Sequence, residues 1–126
     1  MEERPTAKIL IADDEADILQ LVGLRLKSSG YEVVTAVNGQ ETLTQVRAEK
    51  PDLIVLDLMM PKLDGYKVCR LLKFDAQFKE IPIIILSARM EPEDKKLAEE
   101  CGADAYLTKP FESKVFLEKI KSLLLG

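Results

Sequence analysis

Aliphatic runs at Lys8-Ile-Leu-Ile-Ala12, Leu53-Ile-Val-Leu56 and Pro82-Ile-Ile-Ile-Leu86 each stop abruptly at a polar residue. Runs this short and this apolar, with no polar alternation, read as strands buried on both faces. A charge at the end of such a strand must sit where the sheet meets solvent or a ligand. Asp57, which ends the second of these runs, is therefore a presented group rather than a core one.

The stretches between the runs carry helical signals. From Asp14 to Ser29, Ile18, Leu21, Val22 and Leu26 recur at helical spacing, with acids in the first turn and Lys27 in the last, matching the helix dipole. Gly30 is placed to close that helix in the left-handed region. Tyr31 to Ala36 is rich in β-formers, and Asn38-Gly39 precedes a helical stretch from Gln40 to Glu49 with Leu43, Val46 and Ala48 facing inward. Lys50-Pro51 stops it. Asp64 is a candidate N-cap for a helix from Gly65 to Phe74 with Val68, Leu71 and Leu72 on its buried side. Pro92 suits a first helical position and Gly102 the closing turn of a charged helix from Glu91 to about Cys101. Asp104 to Thr108 is the last strand. Ser113 is read as the cap of a last helix carrying Val115, Phe116, Ile120, Leu123 and Leu124.

Strand and helix thus alternate five times. That pattern predicts an α/β fold: one domain over residues 1–126, an open five-stranded parallel sheet, five helices on both faces, and right-handed crossovers. The pattern itself does not give strand order.

Composition narrows the function. There are 18 basic and 22 acidic residues among 126, for a net charge of −4, without a Lys/Arg cluster; direct nucleic acid binding by this chain is not expected. No run of 18 or more apolar residues and no cleavable signal pattern is present, so no membrane partner is expected and a cytoplasmic protein is the simplest reading. The sequence contains no histidine, which excludes Ser-His and Cys-His nucleophiles, an imidazole base and a phosphohistidine on this chain. Cys69 and Cys101 lack CxxC spacing and read as packing residues.

In a parallel sheet the groups that follow each strand gather on one edge, where open α/β sheets bind ligands. Asp13 and Asp14 follow the first strand, Asp57 ends the third, Ser87 ends the fourth and Lys109 follows the fifth. Taken singly, each is explained as a helix cap, a strand terminator or a solvated charge. Together they make a different case. Converging carboxylates must take up protons or hold a cation. An oxygen-only set favours a hard ion, Mg2+ with Mn2+ as a substitute. A lysine and a hydroxyl opposite the ion would complete a phosphoryl site.

This set resembles the receiver domain of two-component response regulators. The matching features are Asp13-Asp14, Asp57 followed by Pro61 and Asp64-Gly65, Ser87-Ala88, and Lys109-Pro110-Phe111 after Tyr106. The resemblance implies a flavodoxin-like sheet of order 2-1-3-4-5, an arrangement for which receivers are a standing example. It further implies that Asp57 accepts a phosphoryl group from a phosphohistidine on a sensor histidine kinase or phosphotransfer protein. Asp14 would bind Mg2+ directly and Asp13 mainly through water, with the backbone carbonyl of Met59 completing the protein's share. Lys109 would pair with the phosphoryl group and Ser87 would hydrogen-bond it. Ser87 and Tyr106 would switch together, and a downstream effector domain or protein would read the face of the fourth helix, fifth strand and fifth helix. The Lys109-Pro110 bond resembles the family's cis peptide.

Met59 and Arg89 stand at the family's two variable positions flanking the attacking water. Neither orients water as a carboxylate or amide does, so slow hydrolysis of the phosphorylated state is expected. Met59 also argues against a haloacid-dehalogenase-type phosphatase, which needs an Asp at that place. No strand is followed by GxGxxG or a P-loop, which disfavours a nucleotide fold. Receiver-like modules that never take phosphate typically lose a site residue, and this chain keeps them all.

Overall fold

The structure is a computed structural model and describes residues 6–58, 64–88, 92–109 and 111–125. Five strands, β1 (Lys8–Ala12), β2 (Glu32–Ala36), β3 (Leu53–Asp57), β4 (Ile83–Ser87) and β5 (Ala105–Thr108), alternate with α1 (Ala16–Ser28), α2 (Gly39–Glu49), α3 (Gly65–Lys73), α4 (Pro92–Glu100) and α5 (Ser113–Leu125). All strand pairs are parallel, in the order β2-β1-β3-β4-β5. The α/β class, the five-fold alternation and the order implied by the resemblance are all present.

Period-two alternation within fully apolar strands divides the interior into two cores. Ile9 and Ile11 of β1, Leu53 and Val55 of β3, and Ile84 and Leu86 of β4 face α1 and α5, meeting Leu19, Val22, Leu26, Phe116 and Ile120. Their strand neighbours Leu10, Ala12, Ile54, Leu56, Ile83 and Ile85 face the opposite way and meet Val46, Val68, Cys69, Leu72, Ala98 and Cys101 of α2, α3 and the α4 end. With helices on both faces, the central strands need no polar side, which is why their sequences show none.

The helix faces differ in detail from the periodicity reading. Leu21 and Leu71 are more than half exposed, Val115 is exposed as well, and Ala48 lies on the solvent side of α2. Each helix lies on one sheet face and buries one stripe. Leu19 and Leu21 are about 200° apart around a helix, so burying Leu19 turns Leu21 outward. In α2 the stripe includes Thr42, wholly buried, whose hydroxyl donates to the Asn38 carbonyl oxygen at 2.7 Å.

The punctuation read from the sequence is used as expected at most ends. Asn38 and Asp64 accept the N–H groups of Glu41 at 2.8 Å and Lys67 at 3.0 Å, and Gly30 and Gly102 take positive φ after α1 and α4. Ser113 instead lies inside α5, where the carbonyl of its predecessor Glu112 accepts the Phe116 N–H at 3.0 Å. Helix α1 begins at Ala16 rather than Asp14, because Asp13 turns the chain first. Its carboxylate accepts the Glu15 N–H at 2.9 Å. At the opposite edge of the sheet Lys73 pairs with Asp104 at 2.7 Å and donates to the Ile81 carbonyl at 2.8 Å. Asp104 in turn accepts the Ile83 N–H, joining the α3 end to the starts of β4 and β5.

Candidate phosphoryl and metal site

The carboxyl ends of β1, β3, β4 and β5 bring the sequence-selected residues to one edge. Asp13 extends the β1 ladder by one bond, its N–H donating to the Ala36 carbonyl at 3.1 Å, and is almost wholly buried. Asp57 is the last residue of β3, cross-strand from Leu86, and Ser87 is the last residue of β4, cross-strand from Thr108. Both are buried. The Lys109 N–H donates to the Ser87 carbonyl at 2.8 Å, so the strand ladder itself delivers the lysine to the site.

One carboxylate oxygen from each of Asp13, Asp14 and Asp57 lies within 4.8 Å of the others, Asp14 being the exposed member. The Lys109 ammonium is 2.8 Å from Asp13 Oδ2 and 3.7 Å from Asp57 Oδ2. Burial, the largest single influence on Lys109, lowers its pKa; the hydrogen bond to Asp13 and the charges of Asp57, Asp13 and Glu15 outweigh it and leave the pKa above the ordinary lysine value. The lysine is therefore charged throughout the neutral range. One ammonium against three crowded carboxylates leaves a net negative, all-oxygen pocket, which fits a hard divalent cation.

Gly65 shapes the site in a way that its place in the motif did not reveal. Its N–H donates to the Leu58 carbonyl at 3.1 Å. A Cβ at this position would meet the Asp57 carbonyl oxygen, with Leu58 Cα at 2.8 Å and Asp57 C at 3.0 Å. The start of α3 thus rests directly on the backbone that carries Asp57, an approach open only to glycine. Sequence reading also missed Asp94, buried in the first turn of α4, where Tyr66 Oη donates to its backbone carbonyl at 3.1 Å. A tyrosine just after Asp64-Gly65 and an acid in a charged helix carry no signal of that pairing. Tyr106 is half-buried in β5, cross-strand from Ile85 and packed against the core shared with α4. Met59, Arg89 and Pro110, on which the carbonyl ligand, the hydrolysis expectation and the cis bond rest, lie outside the described residues.

The family model of the response regulator receiver domain matches residues 9–121. This chain belongs to that family. Receivers are the switch modules of two-component systems, and membership implies phosphorylation on an aspartate. Among curated relatives, the alkaline phosphatase synthesis transcriptional regulatory protein PhoP of Bacillus subtilis is 48% identical over 117 residues, covering 93% of this chain and 48% of the relative. The probable transcriptional regulator ycf27 of Cyanophora paradoxa is 49% identical with the same coverage. The receiver spans about half the length of these relatives. Among solved structures, the chemotaxis protein CheY4 of Vibrio cholerae superposes with a TM-score of 0.89 at 33% identity, covering 94% of this chain and 99% of its own. The BeF3-activated DrrB receiver domain gives 0.88 at 32% identity, covering 97% and 100%. Among the described residues no helix is long and apolar enough to cross a membrane.

Proposed function

We propose that the chain, residues 1–126, is a receiver whose Asp57 takes a phosphoryl group from a phosphohistidine on a sensor histidine kinase or phosphotransfer protein. The observation that carries this reading is the placement of three carboxylates within 4.8 Å of one another with the Lys109 ammonium 3.7 Å from Asp57. In the transfer, a carboxylate oxygen of Asp57 attacks phosphorus, the phosphorus–nitrogen bond breaks, and the electron pair leaves with the partner's imidazole. Lys109 offsets charge on the phosphoryl oxygens and the Ser87 hydroxyl hydrogen-bonds one of them.

Asp13, Asp14 and Asp57, with the Met59 carbonyl, would hold Mg2+, and Mn2+ would substitute. When bound, the ion supplies positive charge beside the incoming phosphoryl group. Asp13 has one oxygen on the Glu15 N–H and the other on Lys109, which supports a water-mediated role for it and a direct one for exposed Asp14. The receiver works as a switch, not as an enzyme with a turned-over substrate. The BeF3-activated form of a 32% identical receiver supports that reading. Phosphorylation draws Ser87 toward Asp57, Tyr106 turns inward, and the face of α4, β5 and α5 changes for a downstream effector domain or protein. With a net charge of −4 and no basic cluster, the receiver itself does not bind nucleic acid, and it acts in the cytoplasm.

The deciding experiment is intact mass after incubation with Mg2+ and a small acyl phosphate or amidophosphate donor. One added phosphate, absent from Asp57→Asn, is the expected result. No addition at saturating donor refutes the assignment.

A further inference from the structure

The core on the α2, α3 and α4 side contains a thiol pair that the phosphoryl chemistry does not use. Cys69 lies in the middle of α3, and Cys101 in the turn that closes α4; both are free and buried. They come from elements 32 positions apart in sequence, yet Cys69 Sγ is 3.5 Å from the Cys101 carbonyl oxygen. The geometry around Cys101 is fixed. Its N–H donates to Leu97 at 3.0 Å, and the Ala103 N–H returns to Ala98 at 3.0 Å across Gly102 at φ 91°. The Cys101 thiol donates to the Ala98 carbonyl at 3.1 Å. The Cys69 sulfur thus already lies against the backbone of the residue that carries the second sulfur, the proximity a disulfide requires.

We infer that Cys69 and Cys101 form a reversible intramolecular disulfide under oxidising conditions, locking α3 to the C-terminal end of α4. The chemistry has an order. The neighbouring Cys69 side chain, against the opposing effect of burial and with help from the backbone at Ala103 and Cys101, holds the Cys101 pKa below the ordinary thiol value. The same pairing, followed by burial, raises that of Cys69. Cys101 also has the slight exposure of the two, 5% against 0%. With a peroxide as oxidant, the Cys101 thiolate attacks one peroxide oxygen and the oxygen–oxygen bond breaks. This gives a sulfenic acid and hydroxide, which takes up a proton to become water. The Cys69 thiol then attacks the Cys101 sulfur, the sulfur–oxygen bond breaks, and the second oxygen leaves as water with the thiol proton. Two thiols and one peroxide become one disulfide and two waters. Thiol reductants reverse it by exchange. A disulfide in a protein of a reducing compartment is most often transient and redox-sensing.

The consequence rests on the receiver reading, because α4 belongs to the face proposed to change on phosphorylation. A covalent bond at its C-terminal end removes the freedom of that end to move against α3. Formation of the bond does not depend on Asp57, so its test is separate. Folded wild-type protein is treated with hydrogen peroxide, its remaining thiols are alkylated, and intact mass and a non-reducing peptide map are recorded. The expected result is a loss of about 2 Da without alkylation, a Cys69 peptide joined to a Cys101 peptide, and recovery of two alkylatable thiols after reduction. Cys69→Ala and Cys101→Ala should each abolish the link, and the same link should form in Asp57→Asn. Oxygen addition without a cross-link overturns the inference. So does linkage only between molecules, or two unmodified thiols that alkylate on unfolding. If a cysteine variant does not fold, the wild-type peptide map decides alone.

Discussion

Lys109 reaches Asp13 across 96 positions of sequence to form a 2.8 Å ion pair, and the same ammonium stands 3.7 Å from Asp57. The lysine is thus shared between a carboxylate proposed to hold the metal through water and the one proposed to accept phosphate. Removing it leaves Asp13, 2% exposed, without that cation. Lys109→Ala is expected to lose about 1–3 kcal/mol of stability in metal-free buffer, as for a buried acceptor left short of its donor. Mg2+ should restore part of this, so the rise in urea midpoint on adding Mg2+ should be larger in Lys109→Ala than in wild type, and EDTA should reverse it. Phosphorylation by a small donor should slow by roughly 100-fold or more.

Asp14 is the exposed member of the carboxylate group, so its loss should act on the ion and leave the fold intact. Asp14→Ala is expected to weaken Mg2+ binding by about tenfold or more, equivalent to about 1.4 kcal/mol, since few protein oxygens hold such an ion directly. Isothermal titration at fixed ionic strength measures it, and an unchanged affinity refutes the direct role.

Gly65 meets the backbone of Asp57 and Leu58, where no flexible side chain can yield to a methyl group. Gly65→Ala should therefore cost about 1–3 kcal/mol by urea denaturation, as overpacking does. It should also slow acceptance of phosphate, because the displaced backbone is the one that carries Asp57. Gly23→Ala is the control. A Cβ there meets only Val33 Cγ1, at 3.8 Å, and replaces glycine inside α1, so stability should hold or rise by up to about 1 kcal/mol.

Asn38 caps α2, accepting the Glu41 N–H at 2.8 Å, and is neither one of the three carboxylates nor the lysine of the site. Asn38→Ala should lower stability by about 1 kcal/mol in thermal or urea unfolding. Phosphorylation of the folded variant should proceed at the wild-type rate, which separates loss of fold from loss of site.

The strands, their order of appearance and the polar residues that end or follow β1, β3, β4 and β5 were determined by the sequence alone. A short aliphatic run such as Leu53 to Leu56 has one stable use, as a strand covered on both faces, and a charge can only be placed at its end. The Asp64 cap was legible because its hydrogen bond reaches only three residues along the chain. The resemblance carried the strand order, which no local pattern encodes. Only the tertiary structure decided which helical stripe faces in, turning Leu21 and Leu71 to solvent and Thr42 to the core. It alone decided that Lys109 meets Asp13, that Gly65 rests on Asp57, and that Cys69 lies beside Cys101. These relations join residues distant in sequence, and they exist only once sheet and helices fix each backbone against the others. Periodicity reports a residue's own neighbours, whereas a contact between elements depends on how both are packed.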